Sequence, residues 1–240
     1  MSNKFYAVST GPYSSSFLTL QAIEVLKKCG TIFYPVTSSS EKAHVAFDCI
    51  SSVIDVSEKN CIPVSFSMSK LEEKTRSEYE EIYKKIETEL SVCDVAFVSI
   101  GDVSVYSTAA RIARKVESEG FYVEFVSGVT SFCLAACECK LDLAEKDEEI
   151  RIIPGDAFFR SGKIDDVLKS GGTKIIMKSP RNLRNIIERI VEFDLVESAH
   201  LVKNAGYANE KIVEGRDILK LTEEDFLDAY MSVLIVSSAD

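Results

Sequence analysis

Apolar residues along this chain recur with two periods that alternate. Four short runs rich in β-branched and aromatic residues, KFYAVST (Lys4–Thr10), TIFYPV (Thr31–Val36), DVAFVSI (Asp94–Ile100) and FYVEFV (Phe121–Val126), read as strands buried on both faces. Between them the period becomes helical. FLTLQAIEVLKKC (Phe17–Cys29) is amphipathic, and Gly30 after it predicts a C-terminal cap. RSEYEEIYKKIETEL (Arg76–Leu90) sets Tyr79, Ile82, Tyr83, Ile86 and Leu90 on one stripe opposite charges. Further helices are predicted from about Val105 to Glu119 and from after Gly128 to about Lys140. Beyond these, RIIPG (Arg151–Gly155), TKIIMK (Thr173–Lys178), SAHLVKN (Ser198–Asn204) and MSVLIVS (Met231–Ser237) predict strands, with helices near Asp165–Leu168 and Asn182–Phe193.

Strands alternating with helices predict an α/β fold. The first set implies a mostly parallel sheet, and the shorter units of the second half imply a mixed one. The acidic stretch AEKDEE (Ala144–Glu149) is the best candidate for a boundary between the two halves. The expected organisation is an N-terminal α/β domain over residues 1–128 and a C-terminal α/β domain over 129–240, with the hinge somewhere in 118–150.

Composition narrows the class. The chain has 240 residues, enough for a real core, and no apolar run approaches the ~20 residues needed to span a bilayer. The opening MSNKFYAVST reads as a strand and not as a signal peptide, and seven scattered cysteines suit a reducing cytoplasm. A net charge of -10 argues against nucleic acid as a partner. No G-x-G-x-x-G is present; Gly155, Gly162 and Lys163 have the wrong spacing for a phosphate loop, and Ile164 stands where a hydroxyl is needed. With two histidines and no C-x-x-C, no metal site is expected. Cys133, Cys137 and Cys139 read as small buried cysteines in an Ala- and Leu-rich helix, His44 as a surface or helix-packing residue, and His200 as a satisfied polar group in a strand.

Two segments carry the candidate chemistry. SIGDVSVYST (Ser99–Thr108) and FVSGVTSF (Phe125–Phe132) each stop an apolar run at a glycine flanked by Ser, Thr or Asp, and then open a helix. Ligands of open α/β sheets bind at such carboxyl ends. Asp102, Thr130 and Ser131 offer polar atoms there, and Ile100, Val105 and Met177 offer apolar walls. Asp102 can equally be a helix N-cap, and Met177 can equally be core packing.

These segments, taken in order, resemble the tetrapyrrole (precorrin) methyltransferases. GPYSSSFLTLQA (Gly11–Ala22) resembles that family's opening glycine-rich loop and helix; SIGDVSVYST resembles its G-D-P-x-x-Y-S-T loop; FVSGVTSFCLAA resembles its P-G-V-T-S-F segment. KIIMK (Lys174–Lys178), LVKNAGYANEKIVEG (Leu201–Gly215) and SVLIV (Ser232–Val236) resemble its later signatures. FYPVTSS (Phe33–Ser39) and LDLAEKDEEIRIIPG (Leu141–Gly155) are most similar to the branch that methylates C20 of precorrin-2 or of its cobalt-loaded form. The chain departs from the family at Ser9, Tyr13 and Ser14, where glycines and an aspartate are usual, and at Val103, where proline is usual.

The resemblance implies a two-domain fold with a ligand cleft between the domains, S-adenosylmethionine as methyl donor and a tetrapyrrole substrate of cobalamin biosynthesis. It further implies a cytoplasmic homodimer. Residues matching cofactor positions are Pro12, Ile100, Gly101, Asp102, Val105, Thr130, Ser131, Met177 and Ala205. No side chain is assigned a catalytic role, because the donor brings an activated methyl group and the protein chiefly positions the reactants. A polycarboxylate substrate on an acidic protein needs local cations. KSPRNLR, with Lys178, Arg181 and Arg184, is the densest cluster, and Lys203 and Arg111 follow; each can equally be a solvated surface charge. Other readings are a different precorrin or uroporphyrinogen methylase, or a non-catalytic paralogue that binds the same ligands.

Overall fold

A computed structural model describes residues 3–36, 44–66, 72–227 and 229–237, with the side chains of 72–75 left aside. Thr37–Ser39 of the FYPVTSS motif lie outside the described residues. The chain divides into two compact units, Met1–Thr130 and Ser131–Asp240. The acidic stretch Ala144–Glu149 lies inside the second.

The first unit runs β1 (Lys4–Ser9), α1 (Leu20–Lys28), β2 (Thr31–Val36), α2 (Val45–Ser51), β3 (Asn60–Ser65), α3 (Glu72–Leu90), β4 (Val95–Ser99), α4 (Thr108–Ser118) and β5 (Tyr122–Val126). Its five strands are ordered β3-β2-β4-β1-β5, and the pairs are parallel. The near-continuous apolar runs follow from this. Phe5, Ala7, Phe33, Val95 and Phe97 pack under α3 and α4, whereas Tyr6, Val8, Ile32, Ala96 and Val98 pack under α1 and α2. Both faces of β1, β2 and β4 are therefore dry, whereas the edge strand β5, expected to be buried on both faces, exposes Tyr122 and Phe125.

The second unit runs α5 (Ser131–Glu138), β6 (Ile150–Pro154), α6 (Gly155–Arg160), α7 (Ile164–Leu168), β7 (Thr173–Met177), α8 (Leu183–Glu192), β8 (Ala199–Lys203), β9 (Lys211–Glu214), α9 (Glu223–Leu227) and β10 (Ser232–Val236). Its sheet is ordered β6-β7-β10-β8-β9 and is mixed: β6 and β7 are parallel, and the other pairs antiparallel. Leu183, Ile186, Ile187 and Ile190 of α8 recur at helical spacing and meet Ile153, Ile176, Leu201 and Leu234 from the sheet. Burying each such side chain contributes roughly 1.5–3 kcal/mol before chain entropy is subtracted.

Several expectations are corrected. The helix read as starting at Phe17 is preceded by a 3-10 turn over Ser15–Phe17 and begins at Leu20, because the Thr19 hydroxyl caps it by accepting the Ala22 N–H at 3.1 Å. The helix read from Val105 begins at Thr108 for the same reason: Ser107 accepts the Ala109 N–H at 3.1 Å. Gly30 is not a left-handed cap. Extended Cys29 ends α1, and Gly30 is small because a Cβ there would lie 2.8 Å from Cys93 Sγ. No expectation covered α2, α6, α9, β3 or β9, and Cys133 and Cys137, expected to be buried, are exposed on α5. β3 carries Pro63 and lies at the sheet edge, where the missing N–H is tolerated.

Candidate functional site

In the first unit the carboxyl ends of β1, β4 and β5 lie side by side, with β1 in the middle. Past the strands, Gly11 and Gly101 exchange backbone hydrogen bonds of 3.2 and 2.9 Å. Gly101 has φ 75°, and a Cβ there would meet nothing within 4 Å, so its backbone borders open space. Gly128 is the opposite case. A Cβ on it would fall 2.5 Å from Ser9 Cβ, so only glycine lets the β5 loop close on the β1 loop.

Asp102 holds these loops together. One carboxylate oxygen accepts the Ser104 N–H at 2.8 Å and the Ser104 hydroxyl at 2.5 Å; the other accepts the Ser127 hydroxyl at 2.8 Å and the Gly128 N–H at 2.7 Å. The residue is only 7% exposed. Burial opposes its ionisation, but the Gly128 N–H, the Ser104 hydroxyl and N–H and the Ser127 hydroxyl outweigh it and hold the carboxyl below its ordinary pKa. Asp102 is therefore not the N-cap of α4, which is Ser107. Its partners Ser104 and Ser127 had no assigned part in the sequence reading, although a hydroxyl two residues after an aspartate is an ordinary turn signal.

The altered first loop is intact. Buried Ser9 accepts the Val103 N–H on its hydroxyl at 2.9 Å, tying β1 to the Asp102 loop. Tyr13 adopts φ 51°, so this loop keeps a left-handed turn where the family usually has glycine. Ser14 caps the 3-10 turn by accepting the Ser16 N–H at 3.2 Å. Pro12 is buried, Ile100 and Val105 are half-buried at the same edge, and half-buried Thr130 ends the β5 loop. Ser131 is the first residue of α5.

In the second unit, β6, β7 and β8 point their carboxyl ends to one edge. Half-buried Met177 ends β7, and buried Ala205 follows β8. Both adjoining turns are left-handed, at Lys178 (φ 52°) and Asn204 (φ 53°). Asp156, given no role by the sequence reading, organises the KSPRNLR loop: one of its oxygens accepts the Arg181 N–H at 3.3 Å and, at 3.0 Å each, the Asn182 N–H and side-chain amide.

The proposed cations separate into two groups. Lys203 is corrected: it is buried, donates to the Asp225 carbonyl at 2.7 Å and faces the Asp225 carboxylate at 3.5 Å, so its charge serves the fold. Arg184 pairs with Glu223 and lies 4.4 Å over the Phe226 ring, and Arg111 lies 4.6 Å over Tyr79. Arg181 is exposed, with no acceptor for its guanidinium among the described residues. Lys178 keeps solvent contact, although crowding by protein atoms lowers its ammonium from the ordinary value. A 660 Å³ cavity elsewhere in the second unit, bordered by Cys139, Lys211, Glu214 and Asp217, contains none of the residues matched to a ligand. There burial, then Glu214, pushes the Cys139 thiol up to about 12. No group of three or more potential metal ligands occurs among the described residues, nor does a helix long and apolar enough to cross a membrane.

Comparison with known proteins adds to this geometry. The profile of the Tetrapyrrole (Corrin/Porphyrin) Methylases matches residues 4–216. A probable cobalt-precorrin-2 C(20)-methyltransferase of Methanocaldococcus jannaschii is 32% identical over 97% of this chain and 95% of its own length. The cobalt-precorrin-2 C(20)-methyltransferase of Salmonella typhimurium is 22% identical over 98% and 97%. Among solved structures, a cobalt precorrin-4 methyltransferase superposes with TM-score 0.71 at 18% identity, covering 98% of this chain and 94% of its own. The uroporphyrin-III-C-methyltransferase of Thermus thermophilus does so with TM-score 0.71 at 19% identity and the same coverage. These two support the fold alone.

Proposed function

The chain belongs to the tetrapyrrole (corrin/porphyrin) methylases, and from that premise we propose that it methylates C20 of cobalt-precorrin-2 or its metal-free counterpart in cobalamin biosynthesis. The observation that carries this reading is near-full-length similarity, at 32% identity, to a protein named for that reaction. The residues present fit S-adenosylmethionine. Gly101 leaves open space against its backbone, Ile100 and Val105 supply apolar walls, and Thr130 and Ser131 supply hydroxyls; Met177 and Ala205 are assigned to the same ligand. When bound, that group supplies a methyl activated on a sulfonium.

The chain's own part is positioning. Asp102 spends its carboxylate on fixing the β4 and β5 loops, so its contribution to ligand binding is the shape it holds and not a spare acceptor. Lys178 and Arg181 are assigned to substrate carboxylates, since Arg184, Arg111 and Lys203 already have partners. A homodimer in the cytoplasm completes the proposal, with light scattering as the check on assembly.

Incubation with S-adenosylmethionine and cobalt-precorrin-2 or precorrin-2 should release S-adenosylhomocysteine and place one new methyl at C20 by NMR. A methyl at another carbon would make this a different methylase of the family. Saturable binding without S-adenosylhomocysteine would make it a non-catalytic paralogue.

A further inference from the structure

Lys174 is the second residue of β7, yet it is only 4% exposed and shares a sheet face with the core residue Ile176. No acceptor among the described residues reaches its ammonium. Its neighbour in the sheet register is Arg151 of β6, a second cation. The aliphatic stem of Lys174 is buried while its ammonium tip still meets solvent, beside a guanidinium and with no counter-charge of its own. Burial and then Arg151 both push its pKa below the ordinary lysine value, as expected where an anion is wanting.

The surroundings supply further donors. The chain enters β7 through Gly171 and Gly172, and the backbone N–H groups of both lack an acceptor among the described residues. A Cβ on Gly171 would meet nothing within 4 Å, so the space beside that backbone is open. Gly172, at φ 75°, is pressed against Glu149, where a Cβ would fall 2.3 Å from the Glu149 carbonyl oxygen. Glu149 pairs with Arg151 at 3.1 Å, but its side chain is 70% exposed, so the pair is weak and exchangeable. Gly172 lies against Glu149 and two residues before Lys174, so the turn stands at the amino ends of β6 and β7, the ends that carry Arg151 and Lys174. Met177 marks the opposite end of β7, roughly 10 Å along the strand.

We propose that this turn, with Lys174, Arg151 and the backbone of Gly171 and Gly172, is a binding site for a phosphate-type oxyanion, separate from the methyltransferase residues. A tetrahedral oxyanion takes donors from several directions, as paired N–H groups and two cations provide. Occupation gives Lys174 the counter-charge it lacks, so binding is linked to the stability of the second unit.

The test uses the full chain without donor or tetrapyrrole. Its thermal midpoint is followed while inorganic phosphate is titrated against sodium chloride, and separately against sodium acetate, at matched ionic strength. The proposal expects a saturable rise with phosphate alone. It also expects the Lys174 side-chain resonance to titrate at higher pH when phosphate is present. Lys174→Met should melt higher than the parent in phosphate-free buffer and lose at least tenfold in phosphate affinity. Arg151→Gln, an exposed change, should weaken phosphate several-fold and covers the case in which Lys174→Met fails to fold. Phosphate acting no differently from chloride or acetate, an unmoved Lys174 resonance, or an unchanged phosphate response in either variant would overturn the proposal.

Discussion

Both units place a Gly-Asp pair just beyond a parallel strand, Gly101-Asp102 after β4 and Gly155-Asp156 after β6, and both use the aspartate to tie down a neighbouring strand-end loop. The resemblance ends at the oxygens. Asp102 accepts backbone N–H groups on both of them, from Ser104 on one and Gly128 on the other. Asp156 makes its contacts to the KSPRNLR loop through one oxygen. The glycines differ in the reverse sense: Gly101 adjoins open space, whereas a Cβ on Gly155 would lie 2.3 Å from Ser179 Oγ and 2.7 Å from Ile176 Cγ2. The first edge is locked by its carboxylate and open at its glycine. The second is packed at its glycine and only pinned by its carboxylate.

The largest expected effect breaks the carboxylate half of that contrast. Asp102→Asn must turn its NH2 toward either the Ser104 or the Gly128 N–H, leaving a buried donor unpaired at about 1–3 kcal/mol, read by urea denaturation. Asp156→Asn keeps the one oxygen in use and should cost less than about 1 kcal/mol. Equal costs would dissolve the comparison. The same pair separates in acid. The folded-state pKa of Asp102 lies below its unfolded value of about 3.9. The stability it contributes is thus present above that value and lost as pH falls through the folded one, and Asp102→Asn should flatten that limb of the stability profile.

Glycine substitutions come next. Gly155→Ala overpacks the site against Ser179 and Ile176 and should cost about 1–3 kcal/mol. Gly101→Ala has room for its methyl and carries only the strain of φ 75°, about 1 kcal/mol. That methyl enters the space assigned to the donor, so Gly101→Ala should also lose much of the rise in melting temperature given by S-adenosylhomocysteine. A full ligand response in that variant would move the donor away from Gly101.

The smallest effects lie among the cations of the second edge. Arg181→Gln should raise the tetrapyrrole KM a few-fold and leave stability unchanged, because the lost contact is exposed. Arg184→Gln should do the converse, losing less than about 1 kcal/mol of stability with the Glu223 and Phe226 contacts while sparing KM. A KM effect confined to Arg184→Gln would reverse the assignment.

Short apolar runs rich in β-branched and aromatic residues and bounded by turn residues were easy to read as strands. β1, β2, β4, β5, β7, β8 and β10 all appear within a residue or two of their predicted limits. β3 and β9 were not legible: one carries a proline, and the other is only four residues, Ile212 and Val213 between two charged residues; each is an edge strand held by a single neighbour. At the candidate site, local chemistry announced the loops through Gly101, Asp102 and Gly128. It did not announce what their side chains would touch.

Sequence by itself determined the two kinds of sheet, the places where strands empty into glycine loops and the family to which those loops belong, because each is written within about ten consecutive residues. Tertiary structure decided how individual charges are spent. Whether Asp102 caps a helix or clasps two loops depends on Gly128, 26 positions away. Whether Lys203 is a free cation or the buried partner of Asp225 depends on a contact across 22 positions. The same residue type serves a ligand or the fold according to which distant groups the topology brings within hydrogen-bond reach, and no local pattern of residues records that distance.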